Sequence, residues 1–172
     1  MIQQPPRSLR ARTIRHPLRP TTDHFSEPPV SQTSITDLIH DYADAVVCRD
    51  GARWAATWDA DGVWDLGGGF KVEGRDAIFD LWKGAMGGFE TVIQTVLNGR
   101  VEIDEASGRG HGRQYIQEHF EKSKGEFGIM VAYYDDEYVR RGDQWLFASR
   151  KLVPLYQGLP DLSGKFLTAD SA

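Results

Sequence analysis

Two apolar stretches joined by two residues give the clearest structural signal in the chain. Gly128–Arg141 is rich in Ile, Val, Tyr and Met, which favour strands, and Gln144–Val153 carries apolar side chains on both of its alternating faces. Gly142-Asp143 between them suits a type II′ turn, because glycine adopts a positive φ at the first central position without strain. The pattern predicts a long hairpin that is covered on both sides.

The second strand of this hairpin also has a charged residue among its apolar positions. Alternation places one set of side chains on one face, namely Trp145, Phe147 and Val153, and a second set on the other, namely Leu146, Ala148 and Leu152. Arg150 shares the second face, which is predicted to point into the fold. A structural role for its guanidinium, by snorkelling or pairing, and a functional role are both open from the pattern alone.

Helical periodicity occurs at three places before the hairpin. Ser34 followed by Asp37 matches a capping box, and apolar residues then recur at helical spacing. Asp50 is suited to cap a short second helix, and a third helix is predicted over Gly74–Phe89. A small hairpin around residues 63–72 is predicted between the second and third helices.

Two further strands, Thr91–Asp104 and His111–Lys122, complete the pattern. Helices followed by long antiparallel strands indicate an α+β fold with the helices on one side of the sheet. The predicted architecture is a cone-shaped barrel, in which about three helices on the N-terminal side close a strongly curved mixed or antiparallel sheet. Such a cone leaves a pocket at its wide end.

Charge is distributed unevenly along the 172 residues. Residues 1–33 contain five arginines and two acidic residues, a net charge of +3, so residues 34–172 carry −8 when the whole chain carries −5. Because an acidic domain does not favour phosphates, no nucleic acid partner is expected. Residues 1–33 are predicted to form a basic arm that is disordered or drapes over a partner, 34–158 the domain, and 159–172 a flexible tail.

Several classes of protein are disfavoured by what the sequence lacks. The single cysteine, Cys48, excludes an internal disulfide and a cysteine-based metal cluster. No apolar run approaches the about 18 residues that span a bilayer, and no signal-peptide core is visible, so a cytoplasmic protein with no membrane partner is expected. The histidines show no metal-ligand spacing and no nucleophile elbow is present, so neither a metal site nor a Ser-His-Asp triad is expected.

The candidate site residues are the polar and aromatic side chains that would face the pocket. They are Tyr42, Trp58, Trp64, Gln94, Asn98, Glu118 and Arg150. Gln94 and Asn98 share a face of one predicted strand, and Glu118 shares a face with Ile116 on the next. Each candidate also has a structural interpretation, because aromatic rings commonly fill cores and amides commonly satisfy buried backbone groups.

The chain resembles the SnoaL-like branch of the nuclear transport factor 2-like superfamily over about Ser34–Tyr156. The resemblance rests on four stretches, namely ITDLIHDYADAVVCRD, WDADGVWDLGG, VEGRDAI and YYDDEYVRRGDQWLFASR. It implies a cone-shaped α+β barrel, commonly dimeric, around an apolar pocket. Members include dehydrochlorinases, scytalone and bile-acid dehydratases and polyketide cyclases. None of these needs a metal or organic cofactor, so no cofactor is expected.

The chain has only some of the site residues that this resemblance implies. Lyases of the family carry an Asp–His dyad where this chain has Val47 and Gln94, and a glutamine can orient a substrate but cannot be a general base. Arg150 matches an arginine that steadies developing negative charge, Glu118 matches an acidic site residue and Tyr42 matches a pocket aromatic. These three are the predicted catalytic residues, and the predicted substrate contacts are Gln94, Trp64, Asn98, Trp58 and Val47.

Two functions are consistent with these features. The first is a cofactor-independent lyase, isomerase or cyclase that acts on a small apolar, oxygenated or ring-shaped metabolite. The alternative is a non-catalytic small-molecule-binding module of the same fold, since the dyad is absent. In either case, the apolar face predicted for Trp145, Phe147 and Val153 would be an unusually large exposed patch, which predicts a homodimer through the outer face of the sheet.

Overall fold

A computed structural model of the protein describes residues 34–167, which form three helices and seven strands. The elements in chain order are α1 (Ile35–Cys48), α2 (Gly51–Ala56), β1 (Trp58–Asp65), β2 (Lys71–Glu73), α3 (Arg75–Met86), β3 (Phe89–Asp104), β4 (Arg109–Lys122), β5 (Phe127–Arg141), β6 (Gln144–Gly158) and β7 (Lys165–Phe166). The predicted basic arm, residues 1–33, and the last residues of the predicted tail, 168–172, lie outside the described part of the chain.

Local sequence signals set the beginnings of α1 and α2. The Ser34 hydroxyl accepts a hydrogen bond from the backbone N–H of Asp37 at 3.1 Å, and the Asp37 carboxylate accepts one from the backbone N–H of Ser34 at 3.0 Å. The predicted capping box is therefore confirmed. Asp50 caps α2 by accepting from the backbone N–H of Arg53 at 3.0 Å, also as predicted.

The strands form one mixed sheet in the order β2-β1-β6-β5-β4-β3, and β7 pairs with the end of β6. β1 and β6 are parallel, and the other neighbouring strands are antiparallel. The α+β prediction, with three helices against a mixed sheet, is confirmed. Within residues 34–167 no backbone ladder joins the edge strands β2 and β3, so hydrogen bonds do not close the sheet into a barrel.

A β-bulge in β6 decides which of its residues face the helices. β5 and β6 pair regularly from the turn as far as Phe147, but the next pair is Glu137 with Ser149, so Ala148 has no partner on β5. One unpaired residue inverts the alternation of side chains along the strand. Phe147 before the bulge and Arg150 after it therefore both lie on the helix-facing side of the sheet, here called the inner face.

The prediction that Trp145 and Phe147 line an exposed outer face is wrong. Both side chains belong to the core beneath the helices, with 4% and 0% of their surface exposed. Strict alternation counted from Arg150 assigns them to the opposite side, and the bulge at Ala148 reverses that assignment. Val153 does pair with Tyr133, beyond the bulge, and it is itself buried.

The described part of the predicted tail lies along the end of β6. The Tyr156 hydroxyl donates a hydrogen bond to the Leu159 carbonyl at 2.7 Å and accepts one from the Gly164 N–H at 2.8 Å. These bonds, together with the pairing of β7 with β6, hold residues 159–166 against the domain. In the described chain, no helix is both long and apolar enough to cross a membrane.

Candidate functional site

Arg150 forms a buried ion pair on the inner face, and its partner is Asp136. The two residues are directly opposite each other on β6 and β5. Nε and Nη2 of Arg150 donate to the two carboxylate oxygens of Asp136 at 2.9 and 3.0 Å. Both side chains are almost completely buried. This bidentate geometry is the strongest form of an arginine–carboxylate contact.

Aromatic rings enclose the guanidinium of Arg150. Its central carbon lies 4.2 Å from the ring centroid of Tyr42, 3.8 Å from that of Tyr134 and 3.9 Å from that of Phe147. A cation over the face of a ring is attracted by the negative charge density there, and more strongly when water is excluded. The rings therefore stabilise a charge that burial alone would make costly.

The charges of this pair depend on each other. Burial raises the pKa of the Asp136 carboxyl, and Arg150 limits that rise together with the Tyr138 hydroxyl, which donates to Asp136 at 3.1 Å. Burial is the largest single influence on the pKa of Arg150 and acts to lower it. The charge of Asp136, the two nearby tyrosines and the hydrogen bonds to Asp136 together outweigh burial, so the net shift is upward. The guanidinium therefore remains protonated.

Asp136 was missed in the sequence analysis, which named Glu118 as the acidic residue of the site. If the two strands of the hairpin paired without interruption from the two-residue turn, Asp135 would lie opposite Arg150. The bulge at Ala148 shifts the register by one and brings Asp136 there instead. A signal was present, because Tyr134, Asp136 and Tyr138 alternate along β5 and must share one face.

Glu118 forms a second polar contact on the inner face, with Gln94. The residues are directly opposite on β4 and β3, and Nε2 of Gln94 donates to Oε1 of Glu118 at 2.6 Å. Gln94 is buried and Glu118 is half-buried. Burial raises the pKa of the Glu118 carboxyl, and the hydrogen bond from Gln94 only partly counteracts the rise. A carboxylate of this kind exchanges protons more readily near neutral pH than an exposed one.

Two buried tyrosines connect Glu118 electrostatically with the arginine. Burial is the main cause that raises the pKa values of Tyr42 and Tyr134; the charge of Glu118 raises them further, and the charge of Arg150 lowers them. Both phenols therefore stay protonated and can donate hydrogen bonds. Their rings are 6.1 Å apart, centroid to centroid, in an edge-to-face arrangement.

Three apolar side chains on the inner face are only half-buried, and one of them lies beside Glu118. Met130 pairs with Glu118 across β4 and β5, and Val96 and Leu152 occupy inner-face positions on β3 and β6. All three are partly exposed although they lie on the face that the helices cover elsewhere. Solvent therefore reaches the inner face around Glu118 and is excluded around Arg150.

The remaining predicted site residues divide into two groups. Trp58 and Trp64 are buried in the core under the helices, with Trp64 directly opposite Arg150 on the neighbouring strand. Asn98 does not share the face of Gln94, because a register shift between Val96 and Gly99 interrupts the alternation, and its side chain is exposed. Val47 is 40% exposed at the end of α1 and is not part of either polar contact.

Among residues 34–167, no three or more His, Cys, Asp or Glu side chains are grouped so that they could hold a metal ion. The inner-face groups that can take part in chemistry are two carboxylates, those of Glu118 and Asp136, together with phenols, an amide and a guanidinium.

Replacing Glu118 with glutamine is expected to change how stability depends on pH. Glu118 has a higher pKa in the folded state than in the unfolded chain, where a glutamate has its ordinary pKa of 4.5. The folded state therefore binds the proton more readily, and the stability of the wild type falls as the pH rises from 4.5 through the raised pKa. Glu118→Gln removes this charge and retains an oxygen for Gln94. Urea unfolding should find the variant at least as stable as wild type at pH 8, and the advantage should disappear at pH 4.

The matched control for this prediction is Glu90→Gln, which removes the same charge from an exposed position on β3. Its effect should stay within about 0.5 kcal/mol at both pH values. A Glu118→Gln variant that is markedly less stable than wild type at pH 8 would contradict the assignment of a costly buried charge.

The comparisons with known proteins agree with this fold. A family model described as a SnoaL-like domain matches residues 31–151. A search of curated proteins finds no significant match. The LinA crystal structure is 26% identical, with a TM-score of 0.67, covering 78% of this chain and 90% of LinA.

Two other solved structures are similar in fold. The hexachlorocyclohexane dehydrochlorinase LinA-type3 from Novosphingobium barchaimii LL02 is 24% identical, with a TM-score of 0.67, over 78% of this chain and 91% of its own. A protein from Novosphingobium aromaticivorans, provisionally assigned as a scytalone dehydratase, is 21% identical, with a TM-score of 0.68, over 72% of this chain and 83% of its own. Because the family model spans most of the chain, this protein belongs to the SnoaL-like domain family.

Proposed function

We propose that the protein is a cofactor-independent lyase, isomerase or cyclase in which Glu118 transfers the proton. The observation that carries this proposal is the half-buried Glu118 carboxylate, which Gln94 holds at 2.6 Å and whose pKa burial raises. A general base works best when its pKa lies near the operating pH and when its position is fixed. Partial exposure also lets Glu118 exchange the proton with water after each turnover.

The proposed reaction begins with proton abstraction from a carbon next to an electron-withdrawing group. The C–H proton passes to the free oxygen of Glu118, and its electron pair forms the new double bond. In an elimination, the bond to a leaving group breaks as that double bond forms. In an isomerisation, Glu118 returns the proton to a different carbon of the same substrate.

The buried phenols and the guanidinium would stabilise charge that develops in this step. Tyr42 remains protonated because burial raises its pKa, so it can donate to a forming oxyanion or to a departing oxygen. Arg150 adds positive potential close to Tyr42, at 4.2 Å from its ring. Gln94 would fix the orientation of Glu118, since its own amide cannot exchange a proton near neutral pH.

A non-catalytic binding module is the second candidate, and the Asp136–Arg150 pair favours it. Asp136 already neutralises the guanidinium, which leaves less positive potential for a reaction that develops negative charge. The resemblance to the family lyases also implies that Val47 and Gln94 occupy the positions of their Asp–His dyad. In this case, the inner face would bind a small molecule without changing it.

A metabolite panel incubated in D₂O separates the two candidates. Mass spectrometry would detect deuterium gained by isomerisation or proton exchange, and mass lost by elimination. A lyase, isomerase or cyclase should alter at least one metabolite with the wild-type protein and not with Glu118→Gln. A metabolite that raises the melting temperature but emerges unchanged from both proteins would favour the binding module and count against catalysis.

We also propose that the protein forms a homodimer through the outer face of its sheet. The apolar side chains that support this are Ile93, Leu97 and Phe127, which are 49%, 42% and 60% exposed. Ile93 and Phe127 border an apolar groove of about 250 Å³ beside His119. They replace Trp145 and Phe147, which are in the core, as the candidate contact residues.

Sedimentation at micromolar concentration should show a dimer, and Ile93→Lys combined with Phe127→Lys should shift it to a monomer. A lysine at each position would place charge in a contact that apolar burial stabilises. The control is Phe70→Lys, because Phe70 is 53% exposed in the loop between β1 and β2. A wild-type monomer at this concentration would contradict the proposed dimer.

A further inference from the structure

After Gly158 the chain folds back along β6, and one tyrosine hydroxyl holds the returning segment, residues 159–167, here called the strap. The Tyr156 hydroxyl donates to the Leu159 carbonyl at 2.7 Å and accepts from the Gly164 N–H at 2.8 Å. Leu159 is the first residue of the strap, and Gly164 directly precedes its pairing with β6. A single side chain therefore binds both ends of the turn that the strap makes.

Two glycines allow the strap to approach the domain this closely. A Cβ atom on Gly158 would lie 2.5 Å from the Cα atom of Gly164. A Cβ atom on Gly164 would lie 2.6 Å from the Gln157 carbonyl oxygen and 2.7 Å from the Tyr156 hydroxyl oxygen. Both contacts are with backbone or with a buried ring, which cannot move aside. The strap therefore closes only if both positions lack a side chain.

Little apolar burial holds the strap in place. Of its side chains whose burial is described, none is fully buried. Leu159, Leu162 and Phe166 are 51%, 57% and 69% exposed, although the ring of Phe166 lies 4.9 Å from that of Tyr156, centroid to centroid. Segments with few buried apolar contacts open at a free energy well below that of global unfolding. Hydrogen bonds are thus the main attachment of the strap.

The turn within the strap contains a strained residue. Leu162 donates its N–H to the Leu159 carbonyl at 3.1 Å, and the next N–H, that of Ser163, donates to the Asp161 carboxylate at 2.9 Å. Leu162 itself has a φ of 62°, in the left-handed region that is costly for a residue with a Cβ atom. This strain belongs to the closed strap and is released when the strap opens.

Closing the strap covers an edge of β6. The ladder between β1 and β6 ends at Lys151, and β7 within the strap pairs with Tyr156 and Gln157 on the same strand. The Leu167 N–H then donates to the Leu155 carbonyl at 2.7 Å. Strand edges that are left open tend to pair with other chains, so an open strap would uncover a backbone surface of this kind.

The strap also builds one wall of a groove on the outer face. Pro160 lines the apolar groove of about 250 Å³ that Ile93 and Phe127 border. The other lining residues come from β3, β4 and β5, so Pro160 is the contribution of the strap. The shape of this groove therefore depends on whether the strap is closed.

We propose that the strap opens and closes as one unit on the folded domain, with the Tyr156 hydroxyl as the group that holds it closed. The closed strap covers the edge of β6 and completes the outer groove, and the open strap uncovers both. The inference goes beyond the proposed chemistry and does not depend on it, because the groups of that chemistry lie on the inner face. It also does not require the proposed dimer.

Amide hydrogen exchange, measured residue by residue with NMR on the full chain, tests the proposal. The reporters are the N–H groups of Leu162, Gly164 and Leu167, which donate to three different acceptors. If the strap opens as a unit, the three amides share one opening free energy. That free energy should lie well below the value for the amides of β5, which is flanked by strands on both sides.

Tyr156→Phe should speed exchange of all three amides about tenfold or more relative to β5, because it removes two hydrogen bonds and keeps the ring. The decisive reporter is Leu167, whose N–H donates to the Leu155 carbonyl and not to the tyrosine. An effect confined to the bonds of the hydroxyl would leave Leu167 unchanged. The matched control is Tyr133→Phe, since Tyr133 is another buried tyrosine of the outer face and pairs with Val153 rather than with the strap.

Gly164→Ala gives a second way to open the strap, because it leaves the tyrosine intact and blocks the close approach. It should speed exchange of the Leu167 amide at least as much as Tyr156→Phe does. It should also shift the amide signals of Ile93 and Phe127, since the groove loses Pro160. The control is Gly84→Ala on α3, where an added Cβ atom would meet nothing within 4 Å.

Leu162→Asn should act in the opposite direction. Asparagine tolerates the left-handed backbone better than leucine, so the variant should slow exchange of the Gly164 and Leu167 amides about threefold or more. Faster exchange in this variant would contradict the assignment of strain to the closed strap.

Four results would overturn the proposal. The three amides could be unprotected in the wild type, which would mean that the strap is not closed in solution. They could exchange only together with β5, which would mean that the strap does not open by itself. They could also show unrelated protection, or Tyr156→Phe could leave exchange of the Leu167 amide unchanged, and either result would mean that the strap is not one unit.

Discussion

Replacing Arg150 with methionine is expected to lower the free energy of unfolding by about 3–5 kcal/mol. The substitution leaves the Asp136 carboxylate buried, with Tyr138 as its only remaining side-chain donor among the described contacts. It also removes the cation that three aromatic rings enclose. Urea unfolding monitored by tryptophan fluorescence would measure the loss.

The Arg113–Asp135 pair offers a matched control. The two residues are directly opposite on β4 and β5, and Nε of Arg113 donates to Oδ1 of Asp135 at 3.0 Å, but 48% and 46% of the two side chains are exposed. Water therefore screens this pair, and Arg113→Met should cost about 1 kcal/mol or less. A second control, Arg150→Met with Asp136→Leu, should recover much of the loss because it removes both charges. Equal costs for Arg150→Met and Arg113→Met would contradict the view that burial makes the inner pair important.

Replacing Glu118 with glutamine is expected to reduce kcat/KM by about 10²–10⁴-fold on the substrate that the metabolite panel identifies. The variant keeps the shape of the side chain and an acceptor for Gln94, but it has no titrating proton. Gln94→Ala should reduce kcat/KM only about tenfold, because it removes one positioning hydrogen bond. Steady-state kinetics of the two variants on the same substrate would give the order of the effects.

The pH profile provides an independent check on the role of Glu118. Burial raises the pKa of this carboxyl. As the solution is acidified, wild-type activity should therefore begin to fall at a higher pH than it would if the base were an exposed glutamate. Gln94→Ala removes the hydrogen bond that counteracts the rise and should move the acid limb to still higher pH. The proton-transfer role would be contradicted by a Glu118→Gln protein with near wild-type kcat/KM, or by a larger loss for Gln94→Ala.

The sequence by itself determined the local elements and the class of fold. Ser34 and Asp37 form the predicted capping box, and Asp50 caps the second helix, because these signals depend only on residues a few positions apart. Gly142 has the positive φ of 62° that the predicted hairpin turn requires. The sequence analysis also assigned Gln94 and Glu118 to the pocket side of two successive predicted strands, and in the structure the two residues are directly opposite on β3 and β4.

Only the tertiary structure determined which residues contact Arg150. Side chains along a strand alternate between the two faces of the sheet, so one unpaired residue at Ala148 moves every later side chain to the opposite face. Nothing local in the sequence marks the position of such a bulge. The bulge brings Asp136 rather than Asp135 opposite Arg150 and puts Phe147 into the core. The second interruption, between Val96 and Gly99, likewise separates Asn98 from Gln94. The packing of helices against a bent sheet selects these bulges, because that packing decides which side chains can be buried together.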